Sequence, residues 1–266
     1  MSPSDMKYLK KADNARTRRP LTAEERSVYE WQLNVEGFGE EGQKSLKSAS
    51  VLISRIGGVG GAAAMALAGA GIGRLVLVHQ GNVRNSDLNR QTLMTADWVG
   101  KPRVESALKR LKAMNPRLAI EIHNANVGED NVDELVSSAD LVIDAAPLFR
   151  ERFLLNRAAV EQGKPMVDSA MYELEAQLTT FVPGEGPCLT CLYPGDPPAW
   201  RRQFPVFGAV STMIGSLAAM EAIKVLSGLG QPLVGRLLVA DLRDMSFRTV
   251  RIQRNLHCLV CREEKH

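Results

Sequence analysis

The 266-residue chain has no cysteine outside two Cys-x-x-Cys pairs, Cys188/Cys191 and Cys258/Cys261. With both pairs in use, no thiol remains for a covalent thioester or persulfide on this chain. There is no strong charge imbalance either: a net charge of +3 is too small to argue for a nucleic-acid surface. No apolar leader opens the sequence, and the longest apolar run, Phe204 to Leu226, is interrupted by Glu221, Lys224 and several glycines. That run reads as a buried helix and not as a membrane span. Internal repeats and low-complexity linkers are lacking. A soluble, cytoplasmic protein with neither nucleic acid nor membrane as partner is the expectation.

What is present suits a large globular core, with 45% hydrophobic and 24% charged residues. The first twenty residues carry Lys7, Lys10, Lys11, Arg16, Arg18 and Arg19 against Asp5 and Asp13 without apolar periodicity, so 1–20 reads as a flexible basic tail. Residues 21–266 read as a single domain. Its parts are N-terminal helices (21–49), a nucleotide-binding Rossmann-like half (50–170) and a C-terminal half (171–266).

Thr22 followed by Glu25 is a capping box opening an amphipathic helix, and a second short helix fits Glu40 to Lys47. Strand Val51–Ser54, a glycine turn, a small-residue helix and strand Leu75–Val78 form a βαβ unit whose continuous apolar strands suit a parallel sheet covered on both faces. Alternation continues with helix Val104–Met114, strand Leu118–His123, helix Asn131–Ser138, strand Leu141–Asp144, helix Arg150–Gln162 and strand Met166–Asp168. Strands Glu175–Val182 and Leu237–Asp241 flank helix Val210–Leu226, and an alternating strand Ser246–Gln253 leads to the second cysteine pair. The fold class is α/β: a Rossmann-like, doubly wound, mainly parallel sheet with helices on both faces.

Two Cys-x-x-Cys pairs far apart in sequence can converge as four thiolates around one tetrahedral Zn²⁺, so Cys188, Cys191, Cys258 and Cys261 are candidate ligands of a structural zinc stapling the C-terminal half. Two disulfides or a thioredoxin-like redox pair are the alternatives. Disulfides need an oxidising compartment, and a redox pair explains one motif but not its duplicate.

The turn Arg55-Ile56-Gly57-Gly58-Val59-Gly60-Gly61 lies between strand one and a helix, where backbone N–H groups can approach phosphates. Glycine there also serves tight helix packing, and Ala62, Ala63, Ala64, Ala66 and Ala68 show that this helix packs closely. A nicotinamide enzyme would carry a carboxylate at the end of the second strand. His79-Gln80-Gly81 stands there, which disfavours nicotinamide and leaves only an Arg84-assisted variant.

From Thr22 to Cys261 the segments "GFGEEGQKSLKSASVLI…GGVGG", "NRQTL…VGKPRVESALKRLKAMNP", "VPGEGPCLTCLYP" and "IGSLAAMEAIKVL…GRLLVADLRDMSFR…CLVC" occur in order, and the chain resembles the ThiF/MoeB/HesA family, bacterial relatives of ubiquitin-activating enzymes. The resemblance implies a homodimer of Rossmann-like domains with a structural zinc, adenylating the C-terminal glycine of a ubiquitin-like sulfur carrier with Mg·ATP. Gly57, Gly58 and Gly60 match the family's phosphate-loop glycines, Arg90 and Gln91 its arginine–glutamine pair, and Arg152 a later arginine.

Several positions depart from that pattern. The family's first loop glycine is Arg55, its ribose-gripping aspartate is His79, and an asparagine beside the phosphates is Asp87, an anion facing anions. Its lysine is Arg103, its magnesium aspartate is Pro147, and the arginine given by the other subunit is Trp31. Arg201 or a neighbour stands where some members place a cysteine. Losing one preorganised electrostatic group costs on the order of a hundredfold to a thousandfold in rate. These departures therefore suggest a divergent member, a homodimer or the partner of a related chain, with impaired or repurposed adenylation. It would still bind a carrier or peptide C-terminus. One alternative is an active adenylyltransferase in which Asp144 organises magnesium while Arg90 and Arg103 bind phosphates. Another is an enzyme using a different nucleotide, with Arg55 on an extra phosphate.

Overall fold

The computed structural model describes residues 18–195 and 205–262. Most of the basic tail and the Arg201 position lie outside them. Thr22 caps α1 (Ala23–Val28): its hydroxyl accepts from the Glu25 N–H at 3.1 Å, and the Glu25 carboxylate accepts from the Thr22 N–H at 2.8 Å. The single amphipathic helix expected from this cap is interrupted at Tyr29, which turns its buried ring toward Gly71; the chain resumes as α2 (Glu30–Leu33). Helix α3 (Gly39–Lys47) then leads into the sheet.

The remaining elements are β1 (Ser50–Ser54), α4 (Gly58–Ala70), β2 (Arg74–Val78), α5 (Arg103–Met114), β3 (Ala119–His123), α6 (Val132–Ser137), β4 (Leu141–Asp144), α7 (Phe149–Glu161), β5 (Met166–Tyr172), β6 (Glu175–Phe181), α8 (Leu189–Leu192), α9 (Gly208–Ser227), β7 (Arg236–Asp241) and β8 (Ser246–Arg251). They build one eight-stranded sheet in the order β3-β2-β1-β4-β5-β6-β7-β8. Strands β3 to β5 run parallel, whereas β5 to β8 pair antiparallel. The order reverses beside β1, and in such sheets ligands settle outside the strands' carboxyl ends at that point.

Alternate residues of β1 face opposite layers. Val51 and Ile53 pack with Leu46, Leu67, Leu111 and Ile214, while Leu52 packs with Val132, Leu135 and Leu155 on the other side. Each such fully buried aliphatic contributes about 1.5–3 kcal/mol. Helix α9 is long and apolar enough to cross a membrane by composition, yet it lies against α4 in the first of these layers. Gly215 permits that crossing, since a Cβ there would stand 2.3 Å from the Val59 carbonyl oxygen. Strand β8, at the sheet edge, is exposed along its whole length.

Candidate nucleotide site and cysteine cluster

Gly57 precedes α4 without any side-chain cap, so the first-turn N–H groups of this 13-residue helix point toward the sheet's carboxyl edge. Gly60 is required by close approach: a Cβ would lie 2.4 Å from the Arg55 carbonyl oxygen. At Gly57 a Cβ would be accommodated in ordinary contact, 3.7 Å from Gln91 Nε2 and 4.0 Å from His79 Cε1. The structure thus brings Gly57, Gly58, Gly60, His79 and Gln91 together.

Arg55 sits in the same turn with a positive φ of 63°, but its guanidinium does not reach outward. Its Nε donates to Glu151 Oε2 at 2.7 Å and its Nη2 to Glu151 Oε1, a bidentate pair enclosed between the turn and α7. Arg103 begins α5 and is likewise engaged, donating to Asp87 Oδ2 from Nε at 3.2 Å and from Nη2 at 2.6 Å. Asp87 is only 3% exposed, and it also accepts from the Arg84 N–H at 2.9 Å and Gln91 Nε2 at 2.9 Å. The expectation that Asp87 turns an anion toward phosphates is therefore corrected, because its charge is compensated internally. Arg90 keeps more exposure; its Nη1 bonds Asn89 Oδ1 at 3.0 Å and its Nη2 lies 3.6 Å from Asp87 Oδ1.

Two buried polar atoms on the side chains nearest Gly57 lack partners among the described residues: His79 Nδ1 and Gln91 Oε1. His79 as a residue is half-buried, and its Nδ1 is fully buried. Burial, with the charges of Arg55 and Arg103 behind it, pushes the imidazole pKa down to about 3, so the ring is neutral at physiological pH.

Asp144 ends β4 fully buried, its Oδ1 accepting from Ser54 Oγ at 3.2 Å and the Ala146 N–H at 2.9 Å. Arg152 Nε stands 4.0 Å from Asp144 Oδ2. The same guanidinium donates to Ala146 O at 2.8 Å, Asp168 Oδ1 at 3.0 Å and Ser169 O at 3.1 Å. Arg152 thereby holds the loop that carries Pro147. Burial raises the Asp144 pKa to about 7; Arg152 opposes the shift and neighbouring Asp168 adds to it. Asp144 Oδ2 has no hydrogen-bond partner among the described residues.

Sequence reasoning missed Glu151 and Asp168. Glu151 meets a residue 96 positions away and leaves no local signal. Asp168 did leave one, being an acid at the end of the predicted strand Met166–Asp168, where its register pairs it with Asp144.

The four cysteines converge although the pairs are separated by 70 positions. Sγ–Sγ distances are 3.9 Å for Cys188–Cys191, 3.6 Å for Cys188–Cys258 and 3.4 Å for Cys191–Cys261, with all four sulfurs within 4.8 Å of one another. A tetrahedron of thiolates about 2.3 Å from a zinc ion has sulfurs roughly 3.8 Å apart, while a disulfide requires about 2.05 Å. The donor set fits a soft divalent metal, and none of the four cysteines is disulfide-bonded.

Against known proteins, the sequence profile of the ThiF family matches residues 29–260. Protein HesA, heterocyst, of Trichormus variabilis is 51% identical over 91% of this chain and 90% of its own length. The sulfur carrier protein adenylyltransferase of Thermus thermophilus is 40% identical over 91% of this chain and 93% of its own. The crystal structure of E. coli MccB with MccA-N7isoASN superposes with a TM-score of 0.81 at 22% identity, covering 91% of this chain and 76% of that one, a likeness of fold.

Proposed function

Because the chain belongs to the ThiF family, we propose that it is an adenylyltransferase-like protein that binds an ATP-class nucleotide at the glycine turn and a carrier or peptide C-terminus beside it, while adenylating poorly or not at all. The carrying observation is internal neutralisation: Arg55 is bound to Glu151, Arg103 to Asp87 and Arg152 to Asp168. Adenylation drives a carboxylate onto a phosphorus already ringed by negative oxygens, and cations aimed at that charge supply most of the rate. Cations held by buried carboxylates offer little of it. Pro147 has no carboxylate to give, and Trp31, 87% exposed on α2, has no charge.

Nucleotide binding is supported by the uncapped helix turn and by the two unpartnered atoms, His79 Nδ1 and Gln91 Oε1, beside it. Magnesium fits less well: Asp144 is enclosed, partly protonated near neutrality and 4.0 Å from a guanidinium. Its unpartnered Oδ2 is nonetheless the observation favouring an active enzyme with Asp144 and Arg90 at the reacting phosphates. The cysteine cluster would hold a structural zinc. Exposed Trp31, Val28 and Val35 suit a dimer surface, in homodimer or with a related chain, and free thiols suit the cytosol.

The test is pyrophosphate release from Mg·ATP with a small carrier ending in Gly-Gly. Little or no release despite nucleotide binding is expected, and robust magnesium-dependent turnover refutes the impaired reading. Should turnover occur, unchanged activity in Asp144→Ala would reject the magnesium role for Asp144.

A further inference from the structure

We infer that β8 is a docking edge onto which a partner protein adds an acidic strand. The inference is independent of nucleotide binding. Strand β8 ends the eight-stranded sheet, and its register with β7 runs without a break from Asp241↔Ser246 to Arg236↔Arg251. The Ile252 N–H donates to the Gly235 carbonyl at 3.0 Å, one step beyond that ladder. In an antiparallel pair, bonded and non-bonded positions alternate. Ser246, Arg248 and Val250 therefore bond to β7, while the N–H and C=O groups of Phe247, Thr249 and Arg251 point off the sheet. The Arg236 carbonyl, opposite Arg251, agrees with this alternation, because it accepts from the Thr179 hydroxyl on β6 at 2.7 Å. Every residue of β8 is exposed, and among the described residues no strand or bridge pairs with its outer row.

An open row of this kind is a template for another strand, and proteins usually blunt it with proline, a bulge or charge. β8 holds no proline, no glycine and no bulge, so charge is its only guard. Side chains alternate between faces, giving each face one apolar group and one cation: Phe247 with Arg251, and Val250 with Arg248. Neither arginine has an ion pair or side-chain hydrogen bond among the described residues, and the strand contains no acid. Two copies joined through this edge would set Arg248 and Arg251 of both on one ladder, where like charges repel. A second copy is thus disfavoured. A strand with one acid and one apolar residue on each face completes both the backbone row and the cations.

The probe is a head-to-tail cyclised β-hairpin with a valine and a glutamate on each face of one strand, titrated into the isotopically labelled full chain. With free hairpin at about ten times its Kd, hydrogen exchange at the Phe247, Thr249 and Arg251 amides should slow about tenfold. Arg248→Ala/Arg251→Ala should weaken binding by about twofold to thirtyfold, the range for two opposite-charge pairs across strands. Thr249→Pro removes one outward N–H without touching a bond to β7, and should abolish the protection while the chain stays folded. Where that variant does not fold, N-methylation of the hairpin's pairing amides breaks the same ladder and should abolish binding. An N-methylated hairpin that binds as the parent does, or a lysine-for-glutamate hairpin that binds equally well, overturns the proposal. So does a lack of protection at those amides up to millimolar hairpin. Amides already protected in the free chain and released on dilution overturn it too, since a second copy then occupies the edge.

Discussion

Replacing Arg55 by glycine removes a long cation from a turn and leaves Glu151 alone beneath it. Two opposed effects follow. Arg55 has a φ of 63°, a conformation that costs an L-residue about 1–2 kcal/mol and glycine nothing comparable, so the substitution relieves local strain. It also strips a buried carboxylate of its bidentate partner, which typically destabilises by about 3–5 kcal/mol. The second effect wins, with a net loss of about 2.5 kcal/mol from the midpoints of the two ranges. For a chain of this size that is a fall in Tm of roughly 5–10 °C. The double variant Arg55→Gly/Glu151→Gln removes the stranded charge and keeps the relief, so it should return to within about 1 kcal/mol of the parent. Urea unfolding of the parent, both single variants and the double variant closes the cycle. If the single losses simply add in the double variant, the two side chains are not coupled and the claim that Arg55 is held inward fails.

Asp144 carries a pH signature. Its folded pKa near 7 exceeds the unfolded value of 3.8, so its favourable contribution, present below pH 4, is lost as pH rises toward 7. Subtracting the stability–pH profile of the parent from that of Asp144→Asn should show the variant gaining across pH 4–7 and holding the gain above it; a flat difference would contradict the buried acid. For the cysteine cluster, metal analysis should find one zinc per chain, and a strong chelator should lower Tm by several degrees. Cys188→Ser should do the same, and its zinc content should fall. A chain equally stable with and without metal would remove the staple.

Much of the parallel half was legible because local and global signals agree there. Leu141–Asp144 is both the predicted and the observed β4, bounded by its own apolar run. Helix α5 begins one residue before the predicted Val104, directly after Pro102. Agreement ended where pairing or packing decides. Strand β5 extends beyond the predicted Asp168 to Tyr172 because β6, foreseen as a strand from Glu175, pairs with it through Tyr172↔Glu175, a pairing no local pattern announces. Tyr29 breaks the first helix because its ring packs on Gly71, far along the chain.

The site divides in the same way. Cysteine spacing and the glycine turn are local chemistry, readable from residue types a few positions apart, and they located the cysteine cluster and the uncapped helix start. Whether a cation is available to a ligand depends instead on which distant acid reaches it. Arg55 and Arg103 read as free charges in one dimension. Folding delivers Glu151 to the first from 96 positions away and Asp87 to the second, and Coulomb attraction inside a poorly solvated interior keeps them there.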